Sequence, residues 1–590
     1  MNILVEPIYI GLIQTLISFT IISGLIFCGN IISTNFFKNY NNLLLNLLLS
    51  VVIFSQLLKI ISFLGFFKEA NLIFSFFLFF AGIYNLKFFY VLFDKNKLLI
   101  PRNIFEISIA LTLLAFFIIS IAPPSMADAL DYHYGVPLYL LNFNEFPNTY
   151  SWVHSNLAGN GEFINSLTIF LGTDNFASLL QIFALSCFLL FLREKIQNKK
   201  KLLFLCIFVL GSPTLLQLIS GPKFLLFPQI LTASALLLTL EKKKIESSDY
   251  IFIAILLMGA AQFKLSFLLS GITLGIFLFL KSFMSNKINI LIFSVILFII
   301  FFGPTFLWNY NQLDNFNYRN IITALPKEYL SVLSGYRENF NYIYPLNLFL
   351  PNSIGSISTI LGFQFFILFF IYRKNKDLNL LIVITFLTIS LQYFLGMNEA
   401  RIYYEFILWL AVGIYFLNDE NINFTFFSKI LLVQLLGVCC MAFYFALISL
   451  PSLFSNEHRD KFMEKNSFEY SAVKWVNDVL PDDAKIISEL RSVSFYKMEF
   501  MSMDRLGFYH TKDQLTKYLN YIKERKFNYI VLKENSSHLL LLKNCLGNMF
   551  MKSPDFKRST RNPINRSGGS AVIIYEFNYK DLIDCVKSKN

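Results

Sequence analysis

Residues 123–137 read PPSMADALDYHYGVP, a polar stretch that interrupts an otherwise strongly apolar chain. Four apolar segments precede it and ten follow it. It places two carboxylates, Asp128 and Asp131, and the imidazole of His133 just beyond the fourth apolar segment, and the polar sequence continues through Glu162. Side chains of these types transfer protons and bind cations. Membrane helices need no such stretch in order to pack, so we expect a functional site here.

The composition indicates a protein that crosses a membrane many times. Of the 590 residues, 55% are hydrophobic and only 15% are charged, and the mean hydropathy is +0.56. These values exclude an ordinary soluble globular protein. The formal net charge of +12 would suit a nucleic-acid partner, but the Lys and Arg residues lie mostly in short loops between apolar segments. That placement is typical of membrane topology, so nucleic-acid binding is excluded.

The apolar segments predict the number of membrane spans, because a spanning helix needs about 20 apolar residues. The candidates are 8–34, 42–66, 70–93, 103–123, 174–193, 201–219, 222–240, 249–263, 265–281, 286–308, 355–373, 378–396, 400–417 and 425–450. Two of them, 249–263 and 265–281, are short and meet at Lys264. One long helix would bury that lone charge in the hydrocarbon, so we predict two short helices that meet at a water-facing corner.

The positions of the basic residues predict which loops share a side of the membrane. Loops 94–102, 193–201, 241–249, 281–287 and 373–377 are basic, whereas 124–173 contains no Lys or Arg. If the basic loops are cytoplasmic, the alternation of fourteen spans places both termini and the segments 124–173, 309–354 and 451–590 outside. Segment 309–354 is rich in Tyr and Pro; it either covers a lipid-accessible cleft or only anchors helix ends at the interface.

The chain changes character after Pro451. Residues 468–480 and 511–525 predict helices, and the short apolar runs 485–490, 527–532 and 571–577 predict strands. The fold class is therefore an α-helical polytopic membrane protein, of about fourteen transmembrane helices, with a small C-terminal α/β domain outside the membrane. In an oxidising compartment Cys545 and Cys585 would be candidates for a disulfide, and two free thiols are the alternative.

The spacing of Asp128 and Asp131 allows two interpretations. In a helix, residues three apart share one face, so both carboxylates could reach a common proton or a divalent cation such as Mg²⁺ or Mn²⁺. His133 could assist, because an imidazole titrates near neutral pH. In the alternative interpretation Asp128 caps the following helix, and Asp131 and His133 are merely solvated. Spacing alone does not separate the two.

The motif Asp128-Ala-Leu-Asp-Tyr132-His133 resembles the first external loop of the GT-C membrane glycosyltransferases, and in particular the bacterial, polyprenyl-phosphate-dependent branch that is similar to dolichyl-phosphate-mannose-protein mannosyltransferases. The resemblance spans about 103–417, with similar features in the same order at Gly159–Asn165, Ala260–Lys264, Gly303–Tyr310 and Glu399–Arg401. The chain departs from the family pattern in three places. Three spans precede the matching region, Leu307–Asn309 lacks an arginine, and Gly221–Gln229 lacks an aspartate.

The residue pattern and the resemblance together divide the chain into three units: three N-terminal helices in 1–102, a GT-C-like catalytic module in 103–450 and a periplasmic α/β domain in 451–590. It implies transfer of a sugar from a polyprenyl-phosphate donor to a glycan, lipid or protein acceptor, at the periplasmic face of a bacterial inner membrane. It implies catalytic roles for Asp128, Asp131, His133 and Glu162, with a divalent cation on the two aspartates as an option. It implies donor-binding roles for Lys264, Arg319, Arg337, Arg401, Asn309 and Tyr132. Lys264 and Arg401 could instead extend to the interface without a catalytic role, as we expect of Lys59.

Two other classes of protein also cross the membrane many times, and fourteen spans is a common number for the first of them. A flippase or exporter of lipid-linked oligosaccharides would place charged residues at mid-membrane and show internal repetition. Neither feature is apparent in the sequence. A polysaccharide polymerase or ligase would depend on basic residues in a late loop, whereas the acidic cluster here comes early.

Overall fold

The computed structural model describes residues 9–95, 101, 103–147, 152–283, 287–312, 344–371, 376–397, 399–417, 422–503, 512–536, 546–557 and 569–580. The predicted disulfide partners Cys545 and Cys585 lie outside these residues. The helices that precede residue 424 are α1 Gly11–Phe36, α2 Leu43–Phe63, α3 Phe67–Lys95, α4 Ile104–Ser120, α5 Tyr134–Phe143, α6 Asn160–Phe170, α7 Phe176–Lys195, α8 Lys199–Leu210, α9 Leu215–Ile219, α10 Leu226–Glu241, α11 Ser247–Phe263, α12 Leu268–Phe283, α13 Lys287–Gln312, α14 Gln364–Ile371, α15 Lys376–Phe394 and α16 Ala400–Tyr415. They are followed by α17 Phe424–Ser449, α18 Asn456–Asn466, α19 Tyr470–Val479 and α20 Lys512–Arg525.

Each predicted apolar segment contains helix, and the chain is a multi-pass membrane protein. Seven helices in the described residues are long and apolar enough to cross a bilayer, and four further apolar helices are shorter. The predicted break into two helices at Lys264 is confirmed: α11 ends at Phe263, and a 3₁₀ turn, Leu265–Phe267, leads into α12. The segment 201–219 differs from the prediction, because Pro213 lies between α8 and α9 and a proline interrupts helical hydrogen bonding.

Glycines allow α1 to cross its neighbours at very short distances. A Cβ atom on Gly24 would lie 2.0 Å from the carbonyl oxygen of Leu78 in α3, and one on Gly29 would lie 1.9 Å from that of Asn46 in α2. From the other side, a Cβ on Gly82 would lie 1.9 Å from the carbonyl oxygen of Thr20. Membrane helices associate through such small residues because the hydrophobic effect does not drive helix packing in lipid, and close van der Waals contact is needed instead.

We therefore expect Gly29→Val to destabilise the protein. The added atoms would separate α1 from α2, and overpacking of this kind costs about 1–3 kcal/mol. Gly437→Val in α17 is the matched control, because a Cβ atom there has no neighbour within 4 Å. The midpoint of thermal unfolding in detergent should fall for Gly29→Val and change little for Gly437→Val. Equal midpoints for the two variants would contradict the close crossing.

The C-terminal part forms a small α/β domain, as predicted. Its strands are β1 Lys485–Ser488, β2 Glu499–Ser502, β3 Tyr529–Lys533, β4 Met549–Lys552, β5 Phe556–Lys557, β6 Gly569–Ser570 and β7 Val572–Glu576. Five of them form one sheet in the order β2-β1-β3-β7-β4. The strand β1 pairs in parallel with β2 and β3, and β7 is antiparallel to β3 and β4. The side chains of Ile487, Ile530 and Ile522 of α20 are buried in a core against one face of the sheet.

This domain docks on the polar stretch that follows α4. The backbone N–H of Phe468 donates to the carbonyl of Ser125 (3.4 Å), and the rings of Trp152 and Phe500 meet edge to face at 5.2 Å. A buried ion pair joins Arg459 of α18 to Asp174 at 2.5 Å. The docking therefore places the loops of the C-terminal sheet directly against the residues singled out by the sequence.

Candidate functional site

The polar stretch folds into a distorted helix rather than an open loop. The turn Ala129–His133 is π-helical, a conformation that is common at functional sites. The side chain of Asp128 caps no backbone N–H, and Asp131 and His133 are each only 1% exposed. The alternative in which Asp128 is a helix cap and the other two are solvated is therefore wrong.

Asp131 is a fixed, fully hydrogen-bonded carboxylate. Its Oδ1 accepts from the indole Nε1 of Trp152 (2.9 Å), and its Oδ2 lies 2.7 Å from Nδ1 of His154. The same Oδ2 accepts from Nε and Nη2 of Arg491 at 3.3 and 3.2 Å. Because Asp131 is buried, these hydrogen bonds are stronger than they would be in water, and they connect Trp152, His154 and Arg491 through one carboxylate.

Asp128 lies beside Asp131 but is more accessible. It forms ion pairs with Lys223 and with Nη2 of Arg491 (2.9 Å), and its side chain is 28% exposed. Burial on its own would raise the pKa of this carboxyl, but the charges of Lys223 and Arg491 hold the pKa well below its ordinary value. Asp128 is therefore ionised at neutral pH, and Arg491 bridges it to Asp131, so the two aspartates share one face as predicted.

His133 and Glu162 form a second pair within the same cluster. Nδ1 of His133 contacts Oε1 of Glu162, whose Oε2 accepts from the backbone N–H of Gly159 at the start of α6. Burial lowers the pKa of His133 although Glu162 opposes this effect, so the imidazole is neutral at pH 7. With its proton on Nδ1, the ring leaves the lone pair on Nε2, for which the described residues provide no hydrogen-bond partner.

Lys264 projects from the corner between α11 and α12 into this cluster. Its Nζ donates to the hydroxyl of Tyr132 (2.9 Å) and lies 5.1 Å from the centre of that ring. Among the described residues no carboxylate lies within 4.0 Å of this ammonium group, so nothing neutralises it directly. Burial lowers the pKa of Lys264, and the charges of Glu162 and Asp128 oppose this effect. The side chain of Lys264 therefore extends into the acidic cluster and not away from it.

The other predicted donor-binding residues have mixed outcomes. Arg401, at the first turn of α16, pairs with Glu399, and its charge also acts on Asp128. Asn309 lies in α13, but its side chain is outside the described part of the chain, as are Arg319 and Arg337 altogether. The expectation for Lys59 is wrong, because this lysine is 5% exposed and donates to Oε1 of Gln262 (2.8 Å) and Oγ1 of Thr305 (2.7 Å).

Sequence reasoning missed two cations of the site, Lys223 and Arg491. Lys223 lies in the short Gly221–Gln229 segment. The one feature of the sequence that could have indicated it is that it is a basic residue on the side of the membrane where the charge bias predicts few basic residues. Arg491 follows β1, more than 350 residues after Asp128, and no sequence pattern links the two. The residues of the cluster thus come from segments that the charge bias predicts to lie on the same side of the membrane.

The aspartates do not fit a divalent cation as they are arranged. Both oxygens of Asp131 and both oxygens of Asp128 already accept from nitrogen donors. A metal ion at Asp128 would lie beside the positive charges of Lys223 and Arg491, which disfavour its binding. Within the described residues no group of three or more His, Cys, Asp and Glu side chains has a metal-binding arrangement.

An apolar groove of about 490 Å³ runs between α11, α12 and α13. Leu265, Phe302 and Phe306 are among its lining residues, and Thr305 lines it too. One end of the groove therefore adjoins Lys264, which precedes Leu265, and Lys59, which donates to Thr305.

Comparisons with known proteins identify the family of this chain. In solved structures the chain is similar to ArnT from Cupriavidus metallidurans in the apo state, with 10% identity, a TM-score of 0.45 and coverage of 80% of this chain and 98% of that one. It is also similar to ArnT from Cupriavidus metallidurans bound to undecaprenyl phosphate, with 10% identity, a TM-score of 0.43 and coverage of 79% and 97%. No curated protein matches the sequence. The profile of the DUF1420 N-terminal domain matches residues 7–463 and that of the DUF1420 C-terminal domain matches residues 464–589, and the chain therefore belongs to the DUF1420 family.

Proposed function

We propose that this protein is a membrane glycosyltransferase of the GT-C type that transfers a sugar from a polyprenyl-phosphate donor to a hydroxyl of a glycan, lipid or protein. The observation that carries the proposal is the position of Lys264. Its ammonium group extends towards the acidic cluster and has no carboxylate within 4.0 Å in the described residues, and the next residue, Leu265, lines the apolar groove. A lipid phosphate has the complementary arrangement, a polar anion joined to a long apolar chain.

The cations near Asp128 suit a phosphate leaving group. When the bond between the sugar and the phosphate breaks, the phosphate changes from a singly charged diester to a more highly charged monoester. Cations fixed in advance near that oxygen stabilise the transition state more than the ground state. Lys264 and Lys223 would provide this stabilisation, and Arg401 would contribute at longer range.

Asp128 suits the role of general base. In the proposed reaction the acceptor oxygen forms a bond to the anomeric carbon of the sugar, the bond from that carbon to the phosphate oxygen breaks, and Asp128 takes the acceptor proton. Asp131 is less suited, because its side chain is only 2% exposed, compared with 28% for that of Asp128. Its role is then to position Arg491. Glu162 would hold the ring of His133 so that Nε2 can accept a hydrogen bond from the acceptor.

We also propose the location given by the charge bias. The polar stretch and the C-terminal domain would face the periplasm of a bacterium, and the basic loops would face the cytoplasm. A polyprenyl phosphate reaches such a site from within the membrane, whereas a glycan or protein acceptor arrives from the aqueous side. The C-terminal domain, which covers the polar stretch, would then contact the acceptor.

Sugar transfer by the purified protein tests the proposal. The full chain in lipid nanodiscs should release polyprenyl phosphate from a polyprenyl-phosphate sugar when a hydroxyl acceptor is present. We expect this release to persist in excess EDTA, because Lys223, Lys264 and Arg491 supply the positive charge that a metal ion would otherwise bring to the phosphate. Release that stops with EDTA and returns with Mg²⁺ or Mn²⁺ would contradict the assignment of the aspartates. No release from any of a panel of polyprenyl-phosphate sugars would contradict the proposed function.

A further inference from the structure

Arg491 enters the site from the C-terminal domain and is held there by its own supports. It lies in the turn after β1, and its backbone N–H donates to Oε2 of Glu469 at 2.7 Å. The other carboxylate oxygen of Glu469 pairs with Nζ of Lys533 at 2.5 Å. This backbone bond fixes the turn independently of the Arg491 side chain, so the guanidinium group is presented to the membrane module by a rigid support.

The two carboxylates that hold this guanidinium group are not equivalent. Asp131 accepts from both Nε and Nη2 of Arg491 and is itself fixed by Trp152 and His154. Asp128 accepts only from Nη2, and its side chain is 28% exposed, compared with 2% for that of Asp131. An anion that enters the site would therefore compete with Asp128 for Arg491, while Asp131 would keep the arginine in place.

Carboxylate and phosphate are interchangeable partners for an arginine, because both present paired oxygens that match the guanidinium fork. Lys223, the second partner of Asp128, has an ammonium group, a point charge that pairs with carboxylates and with phosphates. Asp128 is therefore a partly exposed carboxylate between two cations, Lys223 and Arg491, and Arg491 is also held by Asp131. This is the arrangement expected if a phosphate replaces the carboxylate of Asp128 between the two cations.

We propose that Arg491 is a donor-binding residue supplied by the C-terminal domain, and that Asp128 occupies the phosphate position between Arg491 and Lys223 until the lipid phosphate displaces it. This inference rests on the proposed function and adds a partner exchange to it. Once its two cations bind the phosphate, Asp128 loses the charges that make it a weak base. Binding of the donor would in this way create the general base, so that the carboxylate accepts a proton only when a sugar is present to receive the acceptor oxygen.

Binding of polyprenyl phosphate to the full chain in nanodiscs tests the exchange. Arg491→Gln should weaken binding by about tenfold to a hundredfold, the usual effect of losing a charge-assisted hydrogen bond. Asp128→Asn should tighten binding several-fold, because the phosphate no longer has to displace a carboxylate. Arg525→Gln is the matched control, since Arg525 also joins the C-terminal domain to the polar stretch, through Glu145 at 2.9 Å, but lies outside the cluster. It should bind as the unchanged protein does.

Each outcome has a distinct meaning. Binding by Arg491→Gln that equals binding by Arg525→Gln would overturn the role of Arg491. Weaker binding by Asp128→Asn would overturn the exchange, and this result does not depend on whether Arg491→Gln folds, which thermal unfolding will report. If the unchanged protein fails to bind polyprenyl phosphate, the proposed function itself is contradicted.

Discussion

Asp128→Asn should lower the turnover of sugar transfer by about 10²–10⁴-fold, which is the usual contribution of a positioned general base. The substitution keeps the size of the side chain but removes the group that takes the acceptor proton. Polyprenyl phosphate should still bind, because Lys223, Lys264 and Arg491 remain. The measurement is the rate of polyprenyl phosphate release at saturating donor, together with the affinity for the lipid phosphate.

A carboxylate far from the cluster provides the control for this variant. Asp249 lies in the first turn of α11, at the opposite end of that helix from Lys264, and accepts from the hydroxyl of Tyr40 at 2.6 Å. Asp249→Asn should leave turnover within a few-fold of the original value. Full turnover by Asp128→Asn would show that another group takes the proton, and the imidazole of His133 would then be the first to test.

Lys264→Gln should raise the concentration of donor needed for half-maximal rate by about tenfold to a hundredfold, because hydrogen bonds to charged groups contribute about 1.5–3 kcal/mol. Glutamine can still donate to Tyr132, so the corner between α11 and α12 should keep its conformation. Measuring KM separately for the donor and for the acceptor shows which of the two Lys264 binds. The KM for the acceptor should change little.

Lys281→Gln is the matched control, because Lys281 lies in the last turn of α12 and its Nζ donates to the carbonyl of Thr239. Lys281 lies at the end of α12 that is remote from Lys264 and from the site. The substitution Lys281→Gln should leave the KM for the donor and the KM for the acceptor unchanged. If Lys264→Gln behaved like Lys281→Gln, the assignment of Lys264 to the phosphate would be wrong.

The features that depend on local sequence were predictable. A lone lysine in a long apolar run is costly in hydrocarbon, and this fixes the corner at Lys264. The runs that became β1, β3 and β7 are rich in Val and Ile, the residues that favour strands. The strands β2 and β4 have only four residues each, and their Glu-Phe-Met-Ser and Met-Phe-Met-Lys sequences give no alternating pattern.

The features that depend on distant contacts were not predictable. The pairing of Arg491 with Asp128 requires the C-terminal domain to dock on the polar stretch, and docking is a property of two folded surfaces. The burial of Glu405 in α16 likewise corrects the expectation that no charged residue lies within the bundle. Its oxygens accept hydrogen bonds from Thr232 of α10 and Ser270 of α12, each at 2.6 Å, and these bonds offset the free-energy cost of burying the side chain. The periodicity of the sequence does not predict that these two donors lie beside Glu405.

The most direct test of the account is an experimental structure of the full chain with polyprenyl phosphate in a lipid nanodisc. We expect the phosphate to lie within hydrogen-bonding distance of Lys264 and between Lys223 and Arg491, with the apolar chain in the groove between α11, α12 and α13. We also expect Asp128 to be released from Arg491 in that complex. A phosphate bound elsewhere on the helices, with Asp128 still paired to both cations, would contradict this expectation.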